Sequence, residues 1–383
     1  MLAVEQTVRR VQTYPGGATL LKLALLAFIA ALGIGTALGF DIHHLESQAW
    51  LYGIGLSFVV TGVYLGMSQI DLRDMRTHWL FLVLALGGGV VLKYAIIAAS
   101  TFGLSGDQRF LVLAMLMVAI DPLAVSVATK SRQMGDGAKT ILNVWAAGDD
   151  PLTYLLATPT LLIALWATDQ QLERMPRGGD WLTMLPFALV MAGFGLWMAF
   201  RHKLTVRMQE ALATPEESSS RMLWLVTASL GVSQSLTSLA AAAGLFLRFK
   251  FIDRYVGHLS NTILAAATFL LGLLLADGFD WRLGLLLGVF VFFSQFVAAW
   301  VVMLLVKIIK RKDVTYGHLP VRDVWLIALG QQNGITAIVL LLSMEPFVDG
   351  AVAIGASAIV FTNLIYFLAN ALFDRIDAQR SRK

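Results

Sequence analysis

Apolar residues in this chain come in long runs rather than in alternations or single helical stripes, and the polar residues collect between the runs. The runs cover about 18 to 40, 49 to 68, 79 to 99, 108 to 130, 138 to 165, 181 to 200, 222 to 247, 258 to 276, 281 to 306, 322 to 343 and 350 to 373. As helices, runs of this length can cross a hydrocarbon core of about 30 Å. The pattern predicts an all-α polytopic membrane protein forming a single transmembrane domain over 1 to 383. The first run is too long for a signal-peptide core and is expected to stay as a spanning helix.

Lys and Arg favour the loops 69 to 78, 131 to 139 and 201 to 221, which places them and the N-terminus on the cytoplasmic side. The tail and the clusters 307 to 313 and 248 to 254 favour the same side, so the segment 222 to 247 must go out and return, with a break near "GVSQS", 231 to 235. About twelve crossings result. The first half is 1 to 200, the cytoplasmic link 201 to 221, the second half 222 to 373, and 374 to 383 a short cytoplasmic tail. Two runs are interrupted in corresponding places, by "AIDPLAVSVA" with Pro122 and by "LGQQNGITA" with Gly334. Both predict broken helices. In a twelve-span count they belong to halves of inverted topology, a layout found in secondary transporters; ordinary proline kinks are the simpler alternative.

Composition sharpens this picture. Hydrophobic residues make up 57% and charged residues 14% of the chain, with a mean hydropathy of +0.72, which excludes a soluble domain. The net charge of +4 fits basic cytoplasmic loops, and nucleic acid is not an expected partner. Absence of cysteine rules out disulfides and thiolate metal sites.

Of 25 acidic residues, only Asp121, Asp149 and Asp150 lie deep in a predicted span. An ionisable group at mid-membrane costs several kcal/mol without partners or water, so it points to an ion or proton pathway; protonated acids bonded between helices are the structural alternative. Neighbours on a helix point about 100° apart, which gives Asp149 and Asp150 different jobs. The face of Asp150 continues through Asn143, Ala146 and Ala147 and is expected to meet the broken helices. Pro151 frees the carbonyl of Ala147 beside the acids. Carboxylate, amide and carbonyl oxygens suit a hard cation, and burial with a neighbouring like charge favours the protonated acid, so cation and proton can compete. The six histidines (43, 44, 78, 202, 258 and 318) fall in loops or at span ends, leaving proton chemistry to the carboxylates. Candidate ligands or lining residues are Asn143, Ser126, Thr153, Gln331, Gln332, Asn333, Ser294 and Gln295. Lys93 is expected to carry its ammonium to the outer interface along its own stem, with a counter-ion role as the alternative. The glycines 87 to 89 predict a close helix contact.

The motifs "AIDPLAVSVA", "AAGDDPL", "LTSLAAAAGLFLR" and "LGQQNGITAIVLL", in that order and across most of the chain, resemble the monovalent cation/proton antiporter superfamily, which includes bacterial sodium/proton antiporters. The resemblance implies that fold, with inverted repeats and two crossing broken helices, in a multi-pass protein of a bacterial inner membrane with both termini cytoplasmic. It implies exchange of Na⁺, or Li⁺ or K⁺, for H⁺, a homodimer, a role in pH homeostasis, no enzymatic activity and no cofactor beyond the transported ions. Asp150 would bind the cation and the proton, Asp149 would be its partner acid, and Asp121 would neutralise the helix crossing. No nucleotide-binding regulatory domain follows Phe373.

One departure stands out. Electrogenic members pair the first aspartate with a lysine of the tenth helix, whereas "VFFSQFVAAW" places Ser294 and Gln295 there. Without that lysine, one-for-one electroneutral exchange is expected; a distant base such as Lys93 would make it electrogenic. A sodium-coupled organic solute symporter can share the fold but needs a more polar cavity. An intramembrane aspartyl protease would need two acids sharing a proton, and the sequence signatures of such proteases are missing.

Overall fold

The computed structural model describes residues 17–40, 53–55, 57–59, 61–65, 77–131, 134–167, 250–309 and 319–380. The link 201 to 221, the run 181 to 200, most of 49 to 68, and the break expected at 231 to 235 lie outside the described residues. Within them the long elements are helices: α1 (Gly17–Leu38), α2 (Trp79–Ser105), α3 (Arg109–Leu116), α4 (Pro122–Ser131), α5 (Asp136–Ala167), α6 (Lys250–Asp277), α7 (Trp281–Ile309), α8 (Val321–Ala328), α9 (Ile335–Met344) and α10 (Ala351–Arg380). Four stretches, Trp79–Ser105, Ser260–Asp277, Trp281–Ile309 and Ala351–Asp377, are long and apolar enough to cross a membrane.

Small residues set the closest helix contacts. Gly272 of α6 lies against Ala31 of α1, where an added Cβ would come within 2.9 Å of the alanine methyl. Gly288 of α7 meets α10 at Ala358, Phe361 and Thr362, and its carbonyl accepts the Thr362 hydroxyl at 3.2 Å. Backbones approach this closely only where one partner lacks a side chain. The expected tail is helical instead, since α10 continues past 373 to Arg380 and Asp377 there accepts a 2.7 Å ion pair from Arg322 of α8.

Both expected breaks are present and both are buried. Between α3 and α4 the chain leaves the helix at 117 to 121, and between α8 and α9 at 329 to 334. Irregular backbone is tolerated at membrane depth only where protein surrounds it. Residues 117 to 121 and 329 to 333 are all buried. The first break is not a proline kink: Pro122 occupies the first position of α4, where no donor is needed, and Asp121 caps that helix, its Oδ1 accepting the N–H of Leu123 at 2.9 Å and of Ala124 at 3.4 Å.

Span three holds a further irregularity. Ala85–Gly89 forms a π turn inside α2, which re-aims everything beyond it around the helix axis. Of the glycines expected to make a close contact, only Gly89 does so: a Cβ there would meet Trp145 of α5 at 3.0 Å, while Gly87 and Gly88 face open space.

Candidate ion site at the helix crossing

The two breaks cross and complete each other's hydrogen bonds. Asp121 donates its N–H to the carbonyl of Gln332 at 2.8 Å, and its Oδ2 accepts the N–H of Ile335, the first residue of α9, at 3.3 Å. One carboxylate thus serves the N-terminal ends of α4 and α9 together, where helix dipoles favour negative charge. Gly334 is required by proximity, because the Asp121 carboxylate fills the space a Cβ would take.

The free carbonyls of the first break are taken by side chains. Asn333 donates to Met117 O at 2.9 Å and Ala119 O at 3.1 Å, and Gln331 donates to Ala119 O at 3.4 Å and to Asn333 Oδ1 at 2.8 Å. Lys93 donates to Val118 O at 2.8 Å. On the far side α10 holds the second break: Asn363 accepts the N–H of Asn333 at 3.2 Å and donates to its carbonyl at 2.8 Å, and Asn370 donates to Leu329 O at 3.1 Å.

Asp149 and Asp150 lie fully buried on α5 and address different helices. Asp149 Oδ2 accepts an ion pair from Lys93 of α2. Asp150 Oδ2 accepts the hydroxyl of Thr336, in the first turn of α9, at 2.7 Å. The Lys93 ammonium also sits 5.5 Å from the centroid of the Trp145 ring, a cation–π distance. Trp145 Nε1 approaches Asp149 without reaching hydrogen-bond geometry.

Lys93 corrects the sequence reading. Its side chain does not reach an interface; it is fully buried and joins the first break to Asp149. Asp149 therefore has a cation, supplied by span three rather than span ten. The sequence signals for this were the glycine run 87 to 89, which lets Trp145 pack against α2 at Gly89, and Trp145 itself, whose ring stands 5.5 Å from the ammonium.

The other candidate residues separate into two groups. Ser126 and Ser294 bond their own helices, to Leu123 O at 2.9 Å and Val291 O at 2.7 Å, and Gln295 reaches Ile327 O of α8 at 3.4 Å. Asn333 is fully engaged in the crossing. In contrast Asp149 Oδ1, Asp150 Oδ1, Thr153 Oγ1, Asn143 Oδ1, Gln331 Oε1 and Gln332 Oε1, together with Gln295 Oε1 on the other side of its amide, are buried oxygens without a hydrogen bond. Leaving such atoms unpaired is costly, which makes them available to a cation or water. Among the described residues no three His, Cys, Asp or Glu side chains form a metal-binding group, so the available ligands are hard oxygens. Gln332 also lines a cavity of about 10 Å³ with Thr129, Leu142, Gly330 and Tyr366, room for about one water.

No protein-family model and no curated protein matches the chain. Among solved structures it is similar to the sodium/proton antiporter MjNhaP1 from Methanocaldococcus jannaschii, determined at pH 8, with 14% identity, a TM-score of 0.58, and alignment over 90% of this chain and 91% of that one. The chain is a helical membrane protein with the fold of that antiporter.

Proposed function

We propose that this chain is a secondary antiporter exchanging a monovalent cation, Na⁺ before Li⁺ or K⁺, for protons. The observation that carries this reading is the unequal treatment of two adjacent buried acids: each keeps one oxygen unpaired, but Asp149 is neutralised by Lys93, while Asp150 meets only the neutral hydroxyl of Thr336 at the helix crossing. A buried carboxylate with a vacant oxygen can hold a proton or a cation but not both. Competition for Asp150 is therefore the exchange step, with Asp121 holding the two helix ends that form one wall of the site.

Lys93 changes the expected charge balance. A cation arriving at Asp150 places a second positive charge beside the ammonium in a low-dielectric site, where like charges repel strongly. Loss of one proton from Asp150 and one from the Lys93–Asp149 pair for each cation that enters would exchange two positive charges for one, so that each cycle moves net charge. This favours electrogenic over one-for-one exchange.

The other readings find less support. An organic solute symporter needs a polar cavity, whereas the cavity beside Gln332 is lined mainly by apolar residues. Asp121, Asp149 and Asp150 each bond a different partner, unlike the shared-proton dyad of an aspartyl protease.

Purified protein in liposomes carrying an internal pH dye tests the proposal. Addition of Na⁺, Li⁺ or K⁺ outside acid-loaded vesicles is expected to move protons against the cation gradient. Proton movement indifferent to all three cations sinks it.

A further inference from the structure

Serine and threonine inside helices usually return their hydroxyl to a carbonyl three or four residues back, and Thr101, Ser126, Thr129, Ser294 and Ser357 all do so here. Other buried hydroxyls among the described residues do not: Thr362 bonds Gly288 of α7, Ser260 Oγ bonds nothing, Thr336 turns its hydroxyl to Asp150, and Thr153 Oγ1, fully buried, bonds nothing.

The cause for Thr336 lies in the crossing. Its two local acceptors are the carbonyls of Gln332 and Asn333. The first already accepts the N–H of Asp121 at 2.8 Å and the second the side chain of Asn363 at 2.8 Å. Both carbonyls also belong to the non-helical break rather than to a preceding turn of α9, and the hydroxyl is directed across to α5. Thr153 lies on α5 three residues after Asp150 and four after Asp149, on the side of the helix that the two acids flank. Asp150 Oδ1, also unpartnered, completes the set.

We infer that Thr336 and Thr153 supply the hydroxyl ligands of the cation held by Asp150, and that Thr336 sets which alkali cation the site prefers. A hydroxyl serves both halves of the cycle. It donates to the carboxylate when the cation is absent and rotates a lone pair toward the cation when it is present. The ligand set of carboxylate and neutral hydroxyls suits a small hard cation that sheds water. Thr336 belongs to α9, so cation binding also pulls on the half-helix whose end Asp121 holds. The crossing is thereby coupled to occupancy of the site.

This inference rests on the exchange reading, and the experiment separates the two. Wild type, Thr336→Val, Thr336→Ser and Thr153→Val are compared in the liposome assay over a range of Na⁺, Li⁺ and K⁺ concentrations. Valine keeps the shape and removes only the hydroxyl. Thr336→Val is expected to raise the half-saturating Na⁺ concentration about tenfold or more and to alter the order of preference among the three cations, while the maximal rate changes less than about twofold. Thr336→Ser is expected to restore both within about threefold. Thr153→Val is expected to weaken Na⁺ in the same direction, and it carries the test from α5 if Thr336→Val does not accumulate. Unchanged half-saturation and preference in the valine variants, with an active wild type, overturn the ligand assignment alone. An inactive wild type overturns the exchange reading and this inference with it.

Discussion

The two faces of α5 differ in a way that one residue step brings about. On the Asp149 face, α2 contributes a lysine and the first break a carbonyl, so charge is balanced inside the protein. On the Asp150 face, α9 contributes only a neutral hydroxyl, and one carboxylate oxygen is left without a partner. Each acid keeps one oxygen without a partner, so the difference is one of charge: Asp149 is paired with an ammonium and Asp150 is not. Membrane burial makes the distinction sharp, because an unbalanced charge there costs several kcal/mol.

Five substitutions, one pair of them also combined, break or sharpen this contrast. The largest effect is expected at the vacant face: Asp150→Asn should lower cation-driven proton exchange by about a hundredfold or more while the protein still inserts and purifies as a folded species, since an amide cannot trade a proton for a cation. Liposome assays beside size-exclusion profiles check this, and normal exchange by the variant would remove Asp150 from the mechanism.

On the balanced face the expected effect is on stability as well as transport. Asp149→Asn or Lys93→Met alone leaves one charge buried without its partner and should destabilise by about 3–5 kcal/mol, whereas the double variant should recover much of that loss. Thermal unfolding of the four proteins in detergent measures the coupling. A diffusion potential in liposomes adds the transport side: potential-driven exchange is expected for wild type and its loss in the double variant. Additive stabilities would mean that the ion pair is not what holds the two helices.

A smaller effect is expected at the crossing. Asp121→Asn retains one oxygen acceptor but loses the charge facing the ends of α4 and α9, and should slow exchange about tenfold with a stability loss of about 1–2 kcal/mol. Equal rates over the full range of cation concentration would assign Asp121 to folding only. The smallest effect belongs far from the acids, where Arg109 at the start of α3 bonds Asp107 and the carbonyl of Asp349 at 3.0 Å. Burial pushes the Asp107 carboxyl up, yet the hydrogen bonds and charge of Arg109 outweigh it and hold it below its ordinary value. That contribution is present at neutral pH and disappears as pH falls through the lowered value. Arg109→Ala should therefore cost under about 1 kcal/mol at pH 7, with exchange unchanged.

Much of the fold could be read from the sequence because it depends on local properties. Run length gave the spans of α2, α5, α6 and α7 to within a few residues at most ends, and "DP" and "QQNG" marked both breaks. That Asp149 and Asp150 face different helices followed from the helical repeat alone. Residue type did not reveal which polar groups were already in use: Asn333, Ser126 and Ser294 look like ligands in the sequence, but the backbone around them takes their hydrogen bonds.

The sequence by itself therefore determined the apolar spans, the breaks and the presence of three acids deep within the spans, each of which arises within a single stretch of chain. Only the tertiary structure decided that Lys93 neutralises Asp149 across 56 residues and that Thr336 meets Asp150 across 186. Those pairings depend on how each helix is rotated about its axis, and that rotation is set by the π turn at Ala85–Gly89, the contact of Gly89 with Trp145, and the close fit of Gly334 against Asp121. Packing between distant helices fixes such angles, and the composition of any one helix does not.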